Sequence, residues 1–212
     1  MTSEKVLSLN GLCKRFGTVI ANDDVSLDLW RGEVVALLGE NGAGKTTLMN
    51  MLFGHYMPDA GTVDVMGEGG QMQPLALGHP QSALAAGIGM VHQHFTLAEN
   101  LSVLDNILLG AEPLFKLRRD RSAARRKIEG IMERSGLKAP LDTRVSRLSV
   151  GERQRVEILK ALYRDVRILV LDEPTAVLTP QEADNLFENI GAMTRDGLSV
   201  IFISHKLREV LA

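Results

Sequence analysis

Eight consecutive residues, Gly39-Glu40-Asn41-Gly42-Ala43-Gly44-Lys45-Thr46, match the pattern G-x-x-x-x-G-K-[ST] at each fixed position. The chemistry this spacing can do is to wrap a nucleoside triphosphate. Glycines let the backbone turn back on itself without a Cβ clash, so successive N–H groups aim at phosphate oxygens. Lys45 is placed to reach the β- and γ-phosphates. Thr46, with Thr47 beside it, offers a hydroxyl to Mg2+, and a helix beginning here turns its positive end to the same anion. A second group follows the apolar run Ile168-Leu169-Val170-Leu171, which ends in Asp172 and Glu173. The carboxyl end of a parallel strand is where α/β proteins hold ligands. Asp172 is therefore expected to hold Mg2+, directly or through water, and Glu173 to be the base that polarises an attacking water. Taken alone, the two acids could equally end a strand in solvent; beside a phosphate loop they read as its partners.

Several elements must position these groups. Val34-Val35-Ala36-Leu37-Leu38 is a short apolar run suited to a buried strand leading into the loop, and Leu48, Met49 and Leu52 recur at helical spacing before Gly54 stops the helix. Ile168 to Leu171 and Val200-Ile201-Phe202-Ile203 are continuous apolar runs, the pattern of parallel strands buried on both faces. Between them, Thr179-Pro180-Gln181-Glu182 reads as an N-cap, a first-turn proline and a capping-box Glu, opening a helix that buries Ala183, Leu186, Phe187 and Ile190. Strand, helix, strand implies a crossover in a parallel sheet. Val6 to Leu9 and Val25 to Leu29 alternate apolar and polar, as half-buried antiparallel strands do. Residues 95–163 read as helices without strands: Val103, Leu104, Ile107 and Leu108 on one, Ile128, Ile131 and Met132 on another, and Val156, Leu159 and Tyr163 on a third.

Bulk properties narrow the classes. A chain of 212 residues with 45% hydrophobic residues supports one sizeable core, and a net charge of -2 gives no electrostatic case for nucleic acid. The basic cluster Arg118, Arg119, Arg121, Arg125, Arg126 and Lys127 reads as a solvated helix face. Cys13 is the sole cysteine, which excludes an internal disulfide and suits a reducing, cytosolic setting. No run approaches the roughly 18 apolar residues of a membrane span, and the first ten residues lack a signal-peptide pattern, so any membrane role is expected to come through a partner.

Leu148-Ser149-Val150-Gly151-Glu152-Arg153-Gln154 is locally a capping box, with Ser149 at the N-cap and Glu152 three residues on. A small-residue helix start with a free hydroxyl also reads as a second anion site. His92 and His94 flank Gln93 and are expected on one face of a strand, where they could suggest a metal pair, although no third ligand is evident.

With these residues in place the sequence resembles, over essentially its whole length, the ATP-binding cassette ATPases that drive ABC transporters. The resemblance implies an α/β fold: a P-loop NTPase (RecA-like) core with an antiparallel β subdomain and an inserted helical subdomain. Residues 1–94 would hold the antiparallel β subdomain and the P-loop half of the core, 95–163 the helical subdomain, and 164–212 the second half of the core, cut short within a helix at Ala212. It implies ATP and Mg2+ as cofactors, with Leu148 to Glu152 as the signature motif, usually Leu-Ser-Gly-Gly-Gln. Val150 and Glu152 depart from that form, while Ser149 and Gly151, the positions that approach a γ-phosphate bound by a partner cassette, are kept. It further assigns Gln93 as the glutamine that senses Mg2+ and water, His205 as the switch histidine at the γ-phosphate, and Phe16 as the ring stacked on adenine. Thr179 stands where the family usually has Asp, so the two ATP sites of a pair are not expected to be equivalent.

Thr175 to Glu182 and Leu148 to Arg164 are similar to the ATPases of bacterial simple-sugar and nucleoside importers. That likeness implies a second cassette, fused or separate, a transmembrane permease docked near residues 93–106, a substrate-binding protein, and a place at the cytoplasmic face of the membrane. The alternative within the family is a soluble cassette acting on DNA or ribosomes.

Overall fold

The computed structural model describes residues 4–111 and 120–206. Arg118 and Arg119, and the expected break within a helix at Ala212, lie outside the described residues.

Two four-stranded sheets carry the fold. In the first, β1 (Lys5–Phe16) and β2 (Val19–Trp30) form a long antiparallel hairpin, β4 (Ala60–Met66) pairs with the other edge of β1, and β5 (Met72–Pro74) pairs with β4. The second sheet is parallel throughout, in the order β3 (Val34–Leu38), β8 (Ser199–Ser204), β7 (Ile168–Asp172), β6 (Ile88–Val91). Its central strands β7 and β8 are buried along their whole length, as their unbroken apolar runs require. The edge strand β3 is more open, with Val34 and Leu38 exposed.

Period-two alternation divides the core into two apolar clusters. Ile168, Val170, Ile201 and Ile203 face β1, β4 and helix α1 (Lys45–Phe53) through Leu7, Leu9, Met49 and Leu52. Leu169, Leu171, Val200 and Phe202 face the other way. There they meet α3 (Val103–Leu108), α4 (Arg121–Ser135), α5 (Val150–Leu162) and α6 (Pro180–Arg195). Each such side chain taken fully from water contributes about 1.5–3 kcal/mol, so the parallel sheet is held from both faces.

Register then sets the site. Leu38 lies opposite Ser204, Asp172 opposite Ile203, and Val91 opposite Leu171. The four parallel strands therefore end level, and the residues that follow them, Gly39, Glu173, His205 and His92-Gln93, leave the sheet along one edge.

The helix starts follow the expected chemistry. Thr179 caps α6 with Pro180 at its first position, and Thr179 and Glu182 exchange the bonds of a capping box. Gly54, at φ 88, ends α1. Tyr163 differs from expectation: it is the C-cap of α5 and only half-buried, with the Lys127 ammonium 4.8 Å from its ring centre. Ala183 and Phe187 are likewise half-buried, because α6 lies at the margin of its cluster. The expectation that His92 and His94 share a strand face is corrected, since β6 stops at Val91 and both lie in the loop beyond it. Of the described basic cluster, Arg121 pairs with Asp105, Arg125 with Asp142 and Lys127 with Asp165. Among the described residues no helix is long and apolar enough to cross a membrane.

Candidate nucleotide site

Between β3 and α1 the chain makes the glycine turn that the sequence promises. Gly42 and Gly44 take φ 87 and 83, and a Cβ on Gly44 would lie 2.1 Å from the carbonyl oxygen of Ala21, so only glycine fits there. Gly44 is also the N-cap of α1, with no side-chain cap and no acidic residue in the first turn, so the first N–H groups of the helix are left to other acceptors. Lys45 curls over the loop, its Nζ donating to the carbonyls of Gly39 at 2.6 Å and Glu40 at 2.8 Å. Asn22, buried on β2, supports the turn by donating through Nδ2 to the carbonyl of Gly44 at 3.3 Å.

Asn41, Gly42, Ala43, Gly44, Lys45, Thr46 and Thr47 line one side of a cavity of about 440 Å³. Phe16, Val19, Ile20 and Ala21 of the hairpin, with Gln93 and Glu173, complete the lining. The lining thus combines apolar hairpin side chains with the glycine loop and two polar side chains, a mixture suited to a base joined to phosphates.

The acids sit where the register puts them. Asp172 is only 5% exposed, and its Oδ1 accepts from the Thr46 hydroxyl at 3.3 Å. Burial pushes this carboxyl above its usual range, Glu173 adds to the rise, and the Thr46 bond and Lys45 oppose it. Glu173 takes φ 47, a left-handed conformation rare for a glutamate. Its Oε2 accepts from Gln93 Nε2 and its Oε1 meets His205 Nδ1, each at 3.3 Å. Three residues beyond Gln93 the same loop is tied to α5: the Glu157 carboxylate accepts from the backbone N–H of Thr96 at 2.5 Å and from its hydroxyl at 2.9 Å.

Thr46, Asp172, Glu173, Gln93 and His205 are thus linked around one edge of the sheet. Ser149 and Gly151 are not among the residues lining the cavity. They open α5, where the Ser149 Oγ accepts from the N–H of Glu152 and the N–H of Ser149 donates to the Glu152 carboxylate at 2.8 Å. Gly151 lies so close to α6 that a Cβ would be 2.2 Å from Glu182 Oε1. His92 stacks on His55 with ring centres 5.4 Å apart, and burial first, then His55, lowers its pKa. Both rings also meet Phe53 edge-on, so His92 is an element of packing. Sequence reasoning missed Asn22, for which no signal exists in the chain, and Tyr56, an exposed aromatic whose ring meets Phe16.

Sheet order, glycine turn and paired acids define a P-loop NTPase of α/β type. The chain belongs to the ABC transporter family, whose profile, described as "ABC transporter", matches residues 22–176. It is 45% identical over 240 residues to the glucose import ATP-binding protein TsgD13 of Haloferax volcanii, covering 100% of this chain and 43% of that protein. It is 46% identical over 212 residues to the nucleoside import ATP-binding protein NupA of Lactococcus lactis subsp. cremoris, covering 100% of this chain and 41% of that protein. The chain therefore spans about two fifths of the length of these curated relatives. Among solved structures, the ADP conformation of MJ1267, an ATP-binding cassette of an ABC transporter, superposes with a TM-score of 0.85 at 27% identity, covering 98% of this chain and 84% of that one.

Proposed function

We propose that this chain is an ATP-binding and ATP-hydrolysing cassette that energises uptake of a simple sugar or nucleoside through a membrane permease. The observation that carries the reading is one cavity lined by Lys45, Thr46, Gln93 and Glu173 together with the glycine loop and the apolar residues of the hairpin. Transport of a sugar or nucleoside is supported by the relatives, which are a glucose import and a nucleoside import ATP-binding protein.

In this reading Phe16 stacks on adenine and the residues from Gly39 to Thr47 hold the phosphates. Lys45 leaves the loop carbonyls for the β- and γ-phosphate oxygens. Mg2+ suits the donor set, since Thr46 and Asp172 bring hard oxygens together and the buried carboxylate calls for a cation. Thr46, Asp172 and Gln93 would hold the ion, which supplies charge neutralisation at the β- and γ-phosphates. Glu173 accepts the proton of a water that attacks the γ-phosphorus as the bond to the β-phosphate oxygen breaks. Gln93 and His205 orient its two oxygens. The charge growing on the transferred group is met by Lys45 and by the open end of α1.

Ser149 and Gly151 serve a nucleotide on a second cassette. The tie from Thr96 to Glu157 links the Gln93 loop to the same helix, α5, so a permease docked on residues 93–106 would feel both. The units 1–94, 95–163 and 164–212 are read as the β and P-loop part, the helical part and the carboxylate and switch part. The paired cations on α4 argue against a nucleic-acid partner. We place the cassette at the cytoplasmic face of the membrane, together with a second cassette and a substrate-binding protein.

The test is Glu173→Gln. Phosphate release from ATP is expected to fall at least about a hundredfold, the scale of a lost general base, with ATP binding kept. Unchanged turnover would remove Glu173 as the base.

A further inference from the structure

The Phe16 ring ends β1 with nearly half its surface exposed, and an exposed aromatic ring at the end of a strand has several rotamers open to it. Two groups outside the cavity restrict it. Tyr56, in the loop after α1, lies with its ring centre 5.4 Å from that of Phe16 at an interplanar angle of 76°, an edge-to-face pair. The Lys14 ammonium stands over the Phe16 ring, 5.5 Å from its centre. Neither Tyr56 nor Lys14 lines the nucleotide cavity, whereas Phe16 does.

The loop carrying Tyr56 is anchored at both ends. The N–H groups of His55 and Tyr56 both donate to the carbonyl of Asn50 in the last turn of α1, at 2.8 and 3.2 Å. Asp59 closes the other end on the tip of β1: its N–H donates to the carbonyl of Cys13 at 2.9 Å. Its carboxylate accepts from the N–H of Arg15 at 2.7 Å and from Lys14 Nζ at 2.9 Å. One short loop therefore joins the far end of α1, whose near end meets the phosphates, to the strand that carries Phe16.

We propose that Tyr56 is the positioning residue of the base platform, fixing the Phe16 ring so that it presents a face to the nucleobase of a bound nucleoside triphosphate. Tyr56 acts only through Phe16 and touches no phosphate group, so it acts on the base half of the ligand alone. This rests on the reading of Phe16 as the adenine-stacking ring.

The full chain with Mg2+ is titrated calorimetrically with ATP and with inorganic triphosphate, which has no base. Tyr56→Ala is expected to weaken ATP binding about threefold to tenfold, the equivalent of one aromatic pair, with triphosphate binding unchanged. In hydrolysis the same change appears in KM and not in kcat, and Tyr56→Phe restores the wild-type value. Unchanged ATP affinity in Tyr56→Ala, with Phe16→Ala weakened, overturns the role of Tyr56 and leaves the stacking assignment standing. Unchanged ATP affinity in Phe16→Ala removes the platform itself. Equal losses of ATP and triphosphate in Tyr56→Ala show a structural effect on α1 and overturn the proposal.

Discussion

The starts of α1 and α5 solve the same problem in opposite ways. Each helix begins with N–H groups that have no partner within the helix. At α5 the chain supplies partners for two of the four itself, through the reciprocal bonds of Ser149 and Glu152. At α1 it supplies no side-chain cap, sets Gly44 in a left-handed turn, and places Thr47 where a capping acid would otherwise sit. The contrast teaches that an anion site is a helix start left unfinished. The α5 start is closed by its capping box at the N–H groups of Ser149 and Glu152.

The largest break in this contrast is Gly44→Ala. A Cβ at this φ and this distance from Ala21 forces the turn open, so stability should fall by about 3 kcal/mol and nucleotide affinity should be lost. Denaturant titration and nucleotide titration measure the two losses, and an intact affinity would mean that the turn does not shape the phosphate site. A smaller effect is expected at the finished end, where Ser149→Ala should cost about 1 kcal/mol, the usual loss of an N-cap, read as a shift in denaturation midpoint. A loss as large as at Gly44 would erase the distinction between the two starts.

The finest test uses acids held in opposite senses. Asp172, at the end of β7 beside α1, has its pKa raised above 3.8, chiefly by burial, so its ionisation costs stability above the folded value and nothing below 3.8. Glu182, capping α6, has its pKa lowered from 4.5, chiefly by the Thr179 N–H, so its contribution is present above 4.5 and lost as pH falls through the lowered value. Asp172→Asn should therefore stabilise the ligand-free chain at neutral pH, and the gain should fade toward pH 3.8. Glu182→Ala should destabilise at neutral pH and lose its effect in acid. Denaturation midpoints measured across that range decide both, and parallel pH curves for the two variants would contradict the assignment.

Much of the machinery was legible because it depends on local chemistry. The glycine turn, the capping boxes at Ser149 and Thr179, and the apolar runs of β7 and β8 are each dictated by residues adjacent in the chain. Strands β4 and β5 were not, since Ala60, Gly61 and Thr62 are exposed and carry no apolar alternation, and β5 has only three residues. Helix α2 (Pro80–Ala85) has six residues and buries only Ala83, too little for a period to show. At the site, Asn22 and Tyr56 escaped notice because their partners are Gly44 and Phe16, brought to them by the fold. The misreading of His92 and His94 has the same origin: alternation continues past the point where pairing with β7 stops.

The left-handed turn at Glu173 carries a last consequence. Glycine would adopt φ 47 without strain, so by comfort alone a glycine belongs at the end of β7. With Glu173 as the proposed base, keeping a glutamate there sets thermal tolerance against catalytic competence at one backbone position. A screen for heat resistance alone should drift toward Glu173→Gly, and the variants it favoured would be sturdy and inert.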